Sequence, residues 1–217
     1  MMTKVFALLL VVISVMGASS PACATLELRG EGTSANGTHR LIYDTDLDIT
    51  WYDYTASYDN WDNQMDWVSS LTVDFGGASY TDWRLPTAMN RDGTGPCQGS
   101  NCTGSEVGHL YYTELGNWAY PSAGYGLVNT GDFQNLKLGY YWSDTEHSDY
   151  PDFAWIFSTV GGSQDYDGKS TSSYAIAVRP GDITMVPEPF SSTIFLIGGA
   201  LFLRRKYVKW YNLQKLP

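Results

Sequence analysis

Asp44-Thr45-Asp46-Leu47-Asp48 places three carboxylates at alternate positions. Calcium takes several hard oxygen ligands, and such a run can supply three of them. An EF-hand loop would need glycine at its sixth position and glutamate at its twelfth, where Ile49 and Thr55 stand. The competing reading is an acidic hairpin turn whose Asp side chains accept from turn amides. Asp144 to Asp152, and Asp165 with Asp167, are looser acidic runs of the same kind. Glu106 and His109 stand three apart, and on a helix they share a face, a spacing that metal sites use. No further ligand is marked, since His39 and His147 are scattered; a capping glutamate beside a partly buried histidine is the alternative. Trp83-Arg84 could form a ligand platform, or a core ring and a partner for a carboxylate. The chain holds 8 Trp, 16 Tyr and 8 Phe, and an aromatic face can stack on the apolar face of a sugar ring. There is no G-x-S-x-G elbow, H-E-x-x-H or phosphate loop. Paired carboxylates for glycoside hydrolysis carry no sequence spacing, and nothing selects a pair.

The elements that must carry these residues are short. Leu41-Ile42-Tyr43 and Ile49-Thr50-Trp51 read as a hairpin around the acidic run. Asp59 or Asn60 caps a helix from Trp61 to about Thr72, with Trp61, Met65, Val68 and Thr72 at helical spacing and Gly76-Gly77 beyond. Pro86 forces extended backbone on Leu85. A Gly-rich loop from Asn90 to Thr103 holds Cys97 and Cys102. Thr103 and Glu106 have the form of a capping box before Val107, Leu110, Tyr111 and Leu115, and Gly116 stops that helix. A loop-rich stretch from Asn117 to Asn135 precedes three β-prone runs, at Tyr140–Ser143, Phe153–Phe157 and Tyr174–Val178. The order predicts an α+β fold of two helices, a small antiparallel sheet and long loops.

The ends read as addresses. Lys4, an apolar run from Val5 to Ile13 and Ala22-Cys23-Ala24 form a secretory signal peptide over 1–24, with Ala22 and Ala24 at the cleavage site. An uncleaved anchor helix is the competing reading. The globular part is then 25–185. From Thr25 to Val186 there are 22 acidic and 7 basic residues, a net charge of −15, which excludes nucleic acid as a partner. Cys97 and Cys102 are an even pair in an exported chain and read as a disulfide. Segment 186–206 opens with Pro187-Glu188-Pro189, continues apolar from Phe190 to Leu203 and ends in Arg204-Arg205-Lys206; a basic tail fills 207–217. Fourteen apolar residues give about 21 Å of helix against a hydrocarbon core of about 30 Å, a span that needs thinning or snorkelling.

Two resemblances rest on these residues. Pro187-Glu188-Pro189, the apolar run and the Arg-rich end resemble a PEP-CTERM sorting signal. That implies the export machinery and an exosortase as partners and at least transient membrane anchoring. Leu41–Asp44, Ile49–Trp51, Tyr80–Thr87 (with Trp-Arg-Leu-Pro-Thr), Tyr141-Trp142-Ser143 and Ala177–Pro180 resemble the Lcl C-terminal domain family. That resemblance implies a C-type-lectin-like fold and a polysaccharide ligand, although the acidity here argues against a sulfated one. Together these readings predict an exported, envelope-anchored, non-catalytic surface or matrix protein that binds extracellular polysaccharide. An extracellular glycan-degrading enzyme and a purely structural coat protein are the alternatives.

Overall fold

The computed structural model describes residues 26–185. The signal-peptide residues Ala22 and Ala24 and the sorting-signal residues Pro187, Glu188, Pro189, Arg204 and Arg205 lie outside the described residues. Strands β1 (Leu26–Ser34), β2 (Gly37–Asp44) and β3 (Ile49–Asp59) lead into helix α1 (Trp61–Ser69). Short strands β4 (Val73–Phe75), β5 (Ala78–Tyr80) and β6 (Gly99–Ser100) follow, then helix α2 (Glu106–His109), continued by a π-helical turn at Leu110–Glu114. Strands β7 (Tyr140–Glu146), β8 (Phe153–Ser158), β9 (Ser163–Gly168) and β10 (Ser173–Pro180) complete the domain.

All ten strands join one sheet in the order β5-β4-β1-β2-β3-β10-β7-β8-β9-β6. The β10–β7 pair is parallel and the other pairs are antiparallel. This corrects the expected fold of two helices, a small antiparallel sheet and long loops. The sheet is large and mixed, and the helices are short. The physical reason lies in strand composition. β1 (LELRGEGTS) and β9 (SQDYDG) are rich in polar residues, so they lack the apolar run by which buried strands are recognised.

The middle strands do carry that run because both faces of the sheet are covered. One face buries Leu41, Tyr52, Trp142 and Ala177 against Trp61 and Val68 of α1, with Trp83 and Leu85. The other buries Ile42, Trp51, Ile176 and Val178 against Val107, Leu110 and Tyr111. Helix α1 begins where the Asn60 side chain accepts from the Asn63 amide, and it buries Trp61, Gln64 and Val68 on one side. It ends at Ser69, earlier than the apolar spacing suggested. Gly76 and Gly77, with φ of 58° and 84°, form the tight β4–β5 turn that L-residues resist. Cys97 and Cys102 form a disulfide. The buried Gln164 side chain on β9 donates to the carbonyls of Cys97 (2.7 Å) and Ala88 (3.1 Å), which fixes this loop to the sheet. Among the described residues no helix is long and apolar enough to cross a membrane.

Residues distant in sequence close a polar clasp beside the core. Arg84 donates to both carboxylate oxygens of Glu106, at 2.6 and 2.7 Å, and lies 4.0 Å from Asp144. Glu106 Oε2 also accepts from the Thr87 amide. Burial pushes the Asp144 carboxyl above its usual range, against the opposing pull of Thr145 and Arg84. A carboxyl raised in the folded state favours folding below its unfolded value of about 4, and that contribution is lost as pH rises through the folded value. Asp144→Asn does not titrate. Its stability relative to wild type should therefore improve between pH 4 and pH 7 in urea unfolding, and a flat difference would contradict the burial argument.

Candidate functional site

Two places on the α2 side of the sheet bring functional groups together. The first joins the acidic turn to the π turn. Asp44 ends β2 with no exposed surface, and its Oδ1 accepts from the amides of Asp46 (3.1 Å) and Leu47 (3.0 Å). That is an Asx turn, the local use a turn Asp commonly finds. Its Oδ2 is enclosed and has no hydrogen-bond partner. The Trp51 indole N–H lies near enough to favour the charged carboxylate but makes no well-aligned hydrogen bond, and it too is unpartnered.

His109 closes α2, which is capped by Ser105 rather than the expected Thr103; the Ser105 side chain accepts from the Gly108 amide. A methyl group at Gly108 would overlap the Cys102 carbonyl, so glycine lets the disulfide loop lie against this helix. In a regular helix, residues five apart point about 140° away from each other. The π turn, marked by the Leu115 amide donating to the Leu110 carbonyl at 2.9 Å, widens the helix and brings Glu114 alongside His109. Glu114 Oε1 lies 3.1 Å from His109 Nε2, and Asp46 Oδ2 lies 3.7 Å from the same nitrogen. One ligand atom each from Asp44, His109 and Glu114 lies within 4.8 Å of the other two. Burial pushes the Asp44 carboxyl up, opposed by the Leu47 amide and by His109. Burial and then the charge of Asp44 push Glu114 up.

The sequence-marked residues are redistributed by the fold. Asp48 turns away from Asp44 and accepts from the Tyr43 hydroxyl at 2.7 Å, so Asp44, Asp46 and Asp48 do not form one calcium cage. Glu106 faces Arg84, not His109. Trp83 is buried, 5.7 Å from the Tyr52 ring, and donates its indole N–H to the Tyr80 carbonyl.

The second place is the loop after the π turn. Trp118 and Tyr120 are each 63% exposed, and Tyr125 is 46% exposed. Exposed rings grouped together mark a contact surface. The loop beneath them is firmly held. Asn117 is buried, donates to the Asn129 carbonyl and accepts from the amides of Val128 and Asn129. Tyr111 donates to the Trp118 carbonyl, and the Tyr120 amide donates to Gly161. Tyr120 and Tyr125 meet edge to face, 5.2 Å apart. Beside Trp118 lies a concavity of about 340 Å³, lined by Asn101, Tyr112, Asn117 and Ser122 among others. The sequence signal of this site is three large aromatics set among Gly, Asn, Ser and Pro with no strand or helix period.

No protein-family model, no curated protein and no solved structure matches this chain.

Proposed function

We propose that this is an exported, non-catalytic surface or matrix protein whose domain binds extracellular polysaccharide at the face of Trp118, Tyr120 and Tyr125. The observation that carries the reading is a set of bare aromatic rings on a rigidly held loop, beside a concavity lined with amides and hydroxyls. Stacking rings supply the apolar contact and the Asn101 and Ser122 side chains offer polar ones, the combination a sugar needs. No carboxylate lines that concavity, which favours binding over glycoside hydrolysis there. The net charge of −15 over Thr25 to Val186 favours a neutral glycan over a sulfated one. Export rests on the N-terminal signal-like segment, and anchoring through an exosortase rests on the resemblance of residues 186–206 to a PEP-CTERM signal.

Binding of the full chain to the exopolysaccharide of its own cells tests this. Trp118→Ala should weaken it by about 2 kcal/mol, roughly 30-fold, as loss of a central aromatic anchor does. Its thermal stability should stay close to wild type because the ring is exposed. Equal binding by Trp118→Ala, or no saturable binding by wild type, would move the domain to the coat-protein reading. Release of shortened glycan would establish the enzyme.

A further inference from the structure

The aromatic face makes no use of Asp44, His109 and Glu114, and the fold leaves them unbalanced. Two carboxylates with almost no access to water converge on one imidazole. Asp44 Oδ1 is engaged by turn amides, while Oδ2 is enclosed with no well-aligned hydrogen bond, the Trp51 indole N–H being the only donor noted near it. A buried carboxylate oxygen is costly unless a cation or a proton meets it. We propose that a divalent first-row transition ion, of the zinc or manganese kind, binds between Asp44 Oδ2, His109 Nε2 and Glu114 Oε1.

The spacing suits such an ion. Ligand atoms around a tetrahedral ion with bonds of about 2.1 Å stand about 3.4 Å apart. The distances from His109 Nε2 to Glu114 (3.1 Å) and to Asp46 (3.7 Å) bracket that value. The ligand atoms of Asp44, His109 and Glu114 lie within 4.8 Å of one another, and an ion with such bonds would draw them inward. Asp46, about one-third exposed, stands at the open side as a fourth ligand or as the neighbour of a bound water. An imidazole among carboxylates selects against calcium and magnesium, which take oxygen alone, and suits zinc or manganese. The π turn adds weight. Such turns are rare and gather at functional sites, and here the turn is what sets Glu114 beside His109.

The test uses the full chain, stripped with a chelator and titrated calorimetrically with Zn²⁺ and then Mn²⁺. Asp44→Asn and Glu114→Gln are titrated beside it. Asn at 44 keeps the oxygen that accepts the turn amides, so that variant preserves the hairpin. One ion per chain should bind in the micromolar range or tighter, and each variant should weaken it by roughly 100-fold or more. A readout that needs no variant is the ring signals of the 3 histidines. Zn²⁺ should shift those of His109 and leave His39 and His147 in place. Equal binding by wild type and variants, absence of binding, or a shift confined to His39 or His147 would overturn the proposal. Absence of binding would assign the position to a proton on Asp44.

Discussion

Arg84→Met should lower the unfolding free energy by about 3 kcal/mol. Glu106, 7% exposed beside Arg84, would be left with its charge unmatched, and breaking a buried pair from one side typically costs about 3–5 kcal/mol. The low end applies because the Arg84 side chain is 35% exposed and water can partly replace it. Asp144, at 4.0 Å, loses its nearest cation as well. The double variant Arg84→Met/Glu106→Gln should regain most of the loss. It removes both charges, and Gln keeps an oxygen for the Thr87 amide, which Glu106 holds at 2.8 Å. Urea unfolding of the four species forms a double-mutant cycle. Additive losses would show that the pair is not coupled and would sink the argument.

Asp53→Ala should cost about as much through a different mechanism. Asp53 lies on β3 with no exposed surface, and its two oxygens accept from the amides of Gln134 (2.8 Å) and Asn135 (3.0 Å). The Asn135 side chain donates back to the Asp53 carbonyl at 2.8 Å. These bonds fasten the loop that delivers Phe133 against Trp51, with ring centroids 6.2 Å apart. Removing the carboxylate leaves two inward amides without acceptors, at about 1–3 kcal/mol each. The expected loss is about 3 kcal/mol, or roughly 10 °C in melting temperature for a domain of this size. Asp53→Asn keeps one acceptor and should lose less. A calorimetric scan in which alanine and asparagine destabilise equally would show that the oxygens do not hold the loop.

How much could be read beforehand follows from where the burial lies. Strands β2, β3, β7, β8 and β10 announce themselves through Leu41-Ile42, Ile49–Tyr52, Tyr141-Trp142, Ala154–Phe157 and Ala175–Val178, because these residues are buried on both faces of the sheet. Helix α1 shows through Trp61 and Val68 and its Asn60 cap. Strands β1 and β9 do not show, because Glu27, Glu31 and Asp165 face solvent and break any apolar run along them. That omission turned a ten-stranded sheet into a small one. The acid–imidazole group was visible only in pieces. Asp44 was marked within an aspartate run and His109 beside Glu106. Their convergence depends on a hairpin turn meeting a segment more than sixty residues away, and on a π turn that residue spacing does not encode.

The position of β10 has a consequence for synthesis. The last strand among the described residues lies in the middle of the sheet, antiparallel to β3 on one side and parallel to β7 on the other. Everything from β1 to β3 has emerged long before its neighbour in the sheet exists. Until residues 173–180 arrive, the domain is two half-sheets, each with a bare inner edge of unpaired amides and carbonyls that can pair with another chain. A chain cut short before Ser173 would lose the junction of both halves, not merely one strand.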